Sequence, residues 1–351
     1  MSSNHHAALA QFAVGLLSGP AGDVASGAEA ATRRHLSGLY LYGLSTRGFS
    51  EDRLPPATAT EIRRSARREA ADDAVSAREI GEILDILAAR GLHPLVLKGR
   101  CLALELWPRP CYRPPGDLDL LLEREAVRGA VEALSAAGYH EPPVAQRWDF
   151  SEAALLPPAG RLTPVDLHWR LFRSVGSGID PKRFLRRARP ARLEGRPVRV
   201  LDDADQLLFL LVHAAKHGLR RLKWLLDLYA LALRTDTGTW QRAVQRALAS
   251  HSSRPFHLSA AFLAALPGVS IDLDILRPLA PARPIRMALA RLVTLESTLR
   301  EDPLSQREIH AFEILLEENL PARIRRAARL LRRLVLDRPG NRVYKASQCN
   351  R

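Results

Sequence analysis

The stretch "YRPPGDLDLLL" (residues 112–122) places two aspartates, Asp117 and Asp119, one residue apart at the start of an apolar run. A strand alternates its side chains between two faces, so both aspartates share one face while Leu118 and Leu120 share the other. Two neighbouring carboxylates repel each other unless a cation lies between them, and hard oxygen ligands of this kind suit Mg²⁺ beside substrate phosphates. The stretch predicts a buried strand carrying a metal-binding pair. Two solvated aspartates at a strand start are the alternative.

Residues on either side of this stretch favour the metal site. In "LVLKGR" (95–100), Lys98 and Gly99 end an earlier apolar strand and lead into a helix, where a glycine lets backbone N–H groups approach phosphate oxygens. Arg113 lies in the loop before the aspartates and could fold over an anion. A third carboxylate, Asp166, follows in "PVDLHW" (164–169) on another predicted strand. Phosphate contacts from one strand's end, a metal-binding pair on the next strand and a third carboxylate on a later strand are what two-metal phosphoryl or nucleotidyl transfer requires.

These segments, together with "HAAKHGLRRLKWLLDLYAL" (213–231), resemble an uncharacterised bacterial nucleotidyltransferase family of the DNA-polymerase-β-like superfamily, over roughly residues 75–235. The resemblance implies a small mixed sheet flanked by helices. It also implies an NTP as donor, with ATP expected first, and Mg²⁺ or Mn²⁺ as cofactor. It does not name the acceptor.

The resemblance also implies roles for individual residues. Gly99, with Lys98 beside it, matches the phosphate-binding turn after the first strand. Asp117 and Asp119 match the paired metal-binding aspartates, and Asp166 matches the third. From the residues themselves we expect the same metal site, and we expect Asp166 to complete it and to help an acceptor hydroxyl lose its proton. Lys98 and Arg113 are expected to contact phosphates. The guanidinium of Arg113 suits a bidentate contact.

Three histidines are candidates for the acceptor side of the site. His168 shares the face of Asp166 and could orient an acceptor or act as a base, or it could simply be hydrogen-bonded at the sheet edge. His213 and His217 are spaced one helical turn apart, so they could contact acceptor or nucleotide, or be structural. No third zinc ligand accompanies them. On the next helix Asp227 is better explained by an ion pair than by catalysis.

The predicted fold class is α+β: a small mixed-sheet nucleotidyltransferase core flanked by helices, followed by an all-helical C-terminal domain. The expected boundaries are a partly helical N-terminal leader at 1–56, the α/β core with its preceding helix at 57–201, the helical domain at 202–338 and a flexible tail at 339–351.

Composition narrows the remaining choices. The net charge of +14 comes from an arginine excess, since only five of the 52 basic residues are lysine, and it is consistent with a polyanionic partner. The segment 321–338 predicts a basic amphipathic helix that docks by its apolar stripe, or that binds nucleic acid or a membrane surface. Three scattered cysteines form no disulfide framework, and no signal peptide or transmembrane segment is predicted, so we expect a cytoplasmic protein.

The leading hypothesis is therefore a Mg²⁺-dependent nucleotidyltransferase that moves a nucleotidyl group, AMP being expected, from an NTP to a hydroxyl of a small molecule, peptide or protein. The superfamily has a serine after its glycine, closer to the aspartates. Here Arg100 follows Gly99, and 18 residues separate Gly99 from Asp117. That departure motivates a second hypothesis, an NTP-binding accessory protein with reduced turnover. A third, motivated by the charge, is an RNA-directed nucleotide-adding enzyme.

Overall fold

A computed structural model of the chain describes residues 3–19, 22–142, 152–172, 175–300 and 304–319, and beyond them positions 323, 324 and 328. The strands are β1 (Leu95–Val96), β2 (Leu118–Leu121), β3 (Glu152–Leu155), β4 (Val165–His168), β5 (Arg189–Leu193) and β6 (Arg196–Val200). The helices are α1 (Ser3–Ser18), α2 (Val24–Arg33), α3 (Ser37–Thr46), α4 (Pro56–Ala88), α5 (Arg100–Leu106), α6 (Arg124–Ala136), α7 (Pro181–Arg187), α8 (Asp203–Lys216), α9 (Leu222–Ala232), α10 (Thr237–Ala249), α11 (Ser253–Ala264), α12 (Leu273–Leu276), α13 (Arg283–Leu292), α14 (Leu295–Arg300) and α15 (Gln306–Leu316).

The six strands form one mixed sheet in the order β3-β4-β2-β1-β6-β5. The central pair β1–β2 is antiparallel and is flanked by two parallel pairs, β2–β4 and β1–β6, while the outer pairs β3–β4 and β5–β6 are antiparallel. After β6, every regular element that the structure describes is a helix. The predicted fold class, a mixed-sheet core followed by helices, is confirmed.

The two faces of the sheet divide the apolar and acidic residues as the alternation predicts. Leu118 and Leu120 of β2, with Leu167 of β4, are fully buried against apolar side chains of α4 and α6. The intervening positions, Asp119 and Asp166, therefore point to the opposite face, toward the C-terminal helices. Burial of the leucines fixes which face the carboxylates occupy, because a slip of one residue would exchange the two sets.

The N-terminal segment that the sequence suggested as a leader consists of three packed helices. Buried side chains of α1, α2 and α3 belong to the same apolar core as those of α8 and α9. Phe12 of α1 stacks on Tyr229 of α9, with ring centroids 3.9 Å apart and ring planes inclined by 11°. The N-terminal helices thus support the helix that lies against the acidic face. The domain boundaries themselves stay a prediction.

Two of the predicted segments lie almost wholly outside the described residues. They are the basic helix at 321–338, of which only positions 323, 324 and 328 are described, and the tail at 339–351. Within the described part of the chain, no helix has both the length and the apolar character needed to cross a membrane.

Candidate functional site

The acidic face of the sheet is built by the register of two parallel strands. Asp119 of β2 is paired with Asp166 of β4, and Leu121 is paired with His168 two positions further on. Side chains two residues apart on a strand share a face, so Asp119, Asp166 and His168 converge. One ligand atom from each lies within 4.8 Å of the others. Two of these three residues are predicted metal ligands.

Asp119 is the buried centre of this cluster, with its side chain only 3% exposed. The Lys98 Nζ lies 2.7 Å from its Oδ2, and the His168 Nε2 lies 3.1 Å from its Oδ1. Burial alone would raise the pKa of this carboxyl, but Lys98 and His168 lower it to about 2. Asp119 is therefore an anion held between two cationic side chains, which is how the protein stabilises the repelling carboxylates.

His168 connects Asp119 to a further acidic residue, Glu152, which opens β3 and is its register partner. The His168 Nδ1 lies 3.2 Å from the Glu152 Oε2. Although burial opposes it, hydrogen bonds to Asp119 and Glu152 raise the pKa of His168 to about 9, and the pKa of Glu152 is lowered by the same contact. The ring is an imidazolium near neutral pH, hydrogen-bonded to Asp119 through Nε2 and ion-paired with Glu152 on the side of Nδ1. This arrangement agrees with the hydrogen-bonded alternative, while an acceptor-orienting or base role stays a prediction.

Asp117 and Asp166 differ from Asp119 because, among the described residues, no cationic side chain lies within ion-pair distance of either carboxylate. Burial and the neighbouring Asp119 and Asp117 raise the pKa of Asp166 to about 7. Asp117 precedes β2 and is exposed at the mouth of the site. Partial desolvation and the nearby Asp119 raise its pKa as well. Asp117 thus lies beside the tight group of Asp119, Asp166 and His168 and interacts electrostatically with it.

The residues present fit a divalent cation. The donor set consists of carboxylate oxygens, with one imidazole that could join it only after losing a proton, and hard oxygen donors suit Mg²⁺ or Mn²⁺. Two carboxyl groups with raised pKa values next to an ionised one show that the cluster carries more acidic groups than Lys98 and His168 balance. A cation held by Asp119 and Asp166 would take over charge compensation that these two side chains supply.

Gly99 follows β1 in a backbone conformation that requires glycine. Its φ of 80° and ψ of −125° belong to a region that other residues avoid, and a Cβ there would lie 3.3 Å from the backbone oxygen of Asp117. Gly99 thus lets the end of β1 approach the loop that carries Asp117. Arg100, which replaces the superfamily serine, turns away and pairs with Asp73 and Glu194.

Arg113 is placed differently from the sequence prediction of a phosphate ligand. Its guanidinium is buried and donates two hydrogen bonds to Asp227 of α9, from Nε to Oδ1 and from Nη2 to Oδ2, both at 2.8 Å. The indole Nε1 of Trp107 donates to the same carboxylate at 2.9 Å. The ion-pair interpretation of Asp227 is confirmed. The phosphate contact of Arg113 stays a prediction, and the observed pairing ties the loop before Asp117 to α9.

His213 and His217 form an aromatic cluster with Trp224 of α9. The three ring centroids lie 4.8 to 4.9 Å apart. Burial lowers the pKa of His213 well below its usual value, with His217 and Lys98 adding to the effect. The Nε2 of His213 has no hydrogen-bond partner among the described residues. The structure places this cluster within electrostatic reach of Lys98, and a contact with acceptor or nucleotide stays a prediction.

Sequence reasoning missed two residues of the site, Glu152 and Lys223. Glu152 lies opposite His168 in a strand pair that no local pattern specifies. Lys223, near the start of α9, donates from Nζ to the carbonyl oxygen of Pro115 at 3.1 Å and so reaches the loop that carries Asp117. The only signal available was the basic character of "LRRLKW" (219–224) before the predicted helix.

A family model described as "Uncharacterised nucleotidyltransferase" matches residues 21–268. The match includes α2 and α3, the whole sheet, and the helices up to α11. No curated protein matches the chain. Because the family model covers well over half of the sequence, the chain belongs to this family of nucleotidyltransferases, which are transferases of phosphorus-containing groups.

Proposed function

From membership of this nucleotidyltransferase family, we propose that the protein uses Asp117, Asp119 and Asp166 to bind Mg²⁺ or Mn²⁺ and transfers a nucleotidyl group, AMP in the first instance, from an NTP to an acceptor hydroxyl. The observation that carries the proposal is the in-register pairing of Asp119 with Asp166 at the ends of two parallel strands. Neighbouring carboxylates that share a face and have strongly shifted pKa values, here lowered for Asp119 and raised for Asp166, are typical of metal-dependent phosphoryl-transfer sites.

In this proposal the side chains divide the work of the reaction. Asp119 and Asp166 hold the cation from the sheet, and Asp117 holds it from the loop. Gly99 and Lys98 lie on the phosphate side. When bound, the cation neutralises charge on the attacking and leaving oxygens. Lys98 forms an ion pair with Asp119 at 2.7 Å, so a cation held by Asp119 would free the Lys98 ammonium to contact the phosphates.

The transfer balances as a single displacement. The acceptor oxygen forms a bond to the α-phosphorus while the bond from that phosphorus to the oxygen bridging to the β-phosphate breaks. The pyrophosphate leaves with the electron pair. The hydroxyl proton passes to the carboxylate of Asp166, which burial, Asp119 and Asp117 make more basic than a free aspartate when no cation is bound.

The test is incubation of the protein with α-labelled NTPs, Mg²⁺ and a panel of small-molecule, peptide and protein acceptors, beside the variant Asp119→Asn. The matched control is Asp274→Asn on α12, where the side chain is 83% exposed and far along the chain from the sheet. Transfer of label by the wild type and the control, but at most about a thousandth of it by Asp119→Asn, is the expected result. Equal labelling by all three proteins would sink the proposal.

Two alternatives are outcomes of the same experiment. Position 100 is an arginine that pairs with Asp73 and Glu194, so it offers no hydroxyl to the phosphates. An accessory protein that binds an NTP without turnover would tolerate this loss. Mg²⁺-dependent NTP binding without label transfer to any acceptor favours the accessory-protein hypothesis. Label appearing on RNA ends, with binding that weakens steeply with salt, favours an RNA-directed enzyme.

A further inference from the structure

Most of the cations around the acidic face already hold a carboxylate. Lys98 pairs with Asp119, and Arg113 pairs with Asp227. Arg100 pairs with both Asp73 and Glu194. A polyphosphate brings several negative charges into such a site, and it binds best to cations that need not first give up an internal partner.

Lys223 is different, because it faces the site without an acidic partner. Within the described residues no carboxylate oxygen lies within ion-pair distance of its Nζ, and its hydrogen bond goes to the carbonyl oxygen of Pro115 at 3.1 Å. A Cβ on Gly116 would lie 3.1 Å from the same nitrogen. The ammonium therefore lies against the backbone immediately before Asp117 and has two further N–H groups to donate.

The surroundings of this ammonium disfavour its charge. Burial, together with Arg113 and Lys98, lowers the pKa of Lys223 to about 8, against the opposing pull of Asp227 and Asp117. A cation in this position gains from any anion that enters the site. The carboxylates of Asp117 and Asp227 are close enough to act on it electrostatically, but neither contacts it.

We propose that Lys223 is a ligand of the donor's polyphosphate, binding it from α9 opposite the end of β1. The inference rests on the proposed function and adds a substrate ligand on a helix outside the sheet. Two residues of α9, four positions apart, then act on the same loop. Asp227 anchors the loop through Arg113, and Lys223 binds the polyphosphate beside it.

The competing explanation is that Lys223 only holds the loop through its bond to Pro115. Three substitutions separate the two. Lys223→Gln keeps a donor for the carbonyl but removes the charge, Lys223→Arg keeps the charge, and Lys223→Met removes both. Lys182→Met is the control, since it removes one positive charge from an exposed position on α7.

The experiment is titration calorimetry of the full-length proteins with ATP and with inorganic tripolyphosphate, each in Mg²⁺, and with adenosine as the phosphate-free probe. We expect Lys223→Met and Lys223→Gln to weaken both polyphosphate ligands about 10- to 100-fold, as the loss of a charge-assisted hydrogen bond does. Lys223→Arg and Lys182→Met should stay within about threefold of the wild type. Any adenosine binding should be unchanged.

Wild-type affinity for tripolyphosphate in Lys223→Gln overturns the inference in favour of the loop role, and wild-type affinity in Lys223→Met overturns it outright. If Asp119→Asn abolishes nucleotidyl transfer while Lys223→Met binds and turns over normally, the proposed function stands and the role of Lys223 falls. If the wild type binds neither ATP nor tripolyphosphate, both fall.

Discussion

Asp119 and Asp166 are direct register partners on the parallel strands β2 and β4, and they differ sharply in charge state. The pKa of Asp119 is lowered to about 2 by Lys98 and His168 despite its burial, whereas burial and the two neighbouring aspartates raise the pKa of Asp166 to about 7. The protein thus prepares one permanent anion and one carboxyl that exchanges its proton near neutral pH. That pairing suits a site whose charge changes when a metal–substrate complex enters.

Replacing Asp166 by asparagine should stabilise the metal-free protein at high pH. The pKa of Asp166 is about 7 in the folded state against about 4 in an unfolded chain, so the folded state binds more protons between these values. Stability therefore falls as pH rises through this window, and Asp166→Asn removes the fall. About three pKa units correspond to at most about 4 kcal/mol, and we expect solvent screening to leave the variant about 2 to 4 kcal/mol more stable than the wild type at pH 8.

Denaturant unfolding in the presence of a chelator measures this difference, with Asp274→Asn as the control. The gap between Asp166→Asn and wild type should shrink toward pH 4.5, where the Asp166 carboxyl is neutral in the folded state and close to its pKa in the unfolded chain. A gap that is largest at pH 4.5, or absent at pH 8, contradicts the assignment. Added Mg²⁺ should reverse the order, because the cation stabilises only the protein that binds it.

Metal affinity should rise with pH. If the cation binds through carboxylates alone, the proton of Asp166 must leave, and affinity for Mn²⁺ should increase about tenfold between pH 6 and pH 8. If His168 also becomes a ligand, its proton, held with a pKa of about 9, must leave too, and the increase should approach about a thousandfold. Electron paramagnetic resonance of Mn²⁺ measures free and bound metal. An affinity independent of pH is incompatible with binding at Asp166.

Removing the carboxylate of Asp227 should destabilise the whole molecule. Asp227→Asn leaves the buried guanidinium of Arg113 without its counter-ion, and breaking a buried pair in this way costs about 3 kcal/mol or more. The double variant Arg113→Met/Asp227→Leu should recover a large part of the lost stability, since neither position then carries an unpaired buried charge. The control is Asp85→Asn, which breaks a surface ion pair with Arg196 and should leave thermal unfolding unchanged. Losses that simply add in the double variant would mean that the two residues act independently.

The sequence predicted the parts of this site that depend on local pattern. The apolar runs around β1, β2 and β4 mark buried strands, and the alternation in "GDLDLLL" assigns Asp119 to the face opposite Leu118 and Leu120. The spacing could also place Asp166 and His168 on one face. The local pattern leaves open the pairing of β2 with β4 and its register, which bring Asp119 beside Asp166.

The contacts that sequence reasoning missed all join distant segments. Arg113 and Asp227 are 114 residues apart, and Lys223 reaches Pro115 across 108 residues. No periodicity within either segment encodes such a pair. From the sequence alone, an arginine in the loop before two aspartates is interpreted as a phosphate ligand, and its partner Asp227 cannot be identified. The same limit explains why the sequence does not predict that the N-terminal helices pack on the helical core. The stacking of Phe12 on Tyr229 depends on α1 lying on α9.

The most direct test of the central claim is the position of the metal. Crystals grown with Mn²⁺ and a non-hydrolysable NTP should show an anomalous scattering peak between the carboxylates of Asp119 and Asp166, with the phosphates on the side of Gly99. The Lys98 ammonium should have left Asp119. A peak elsewhere, or an NTP bound with Lys98 still paired to Asp119 and no metal between the strands, contradicts the account.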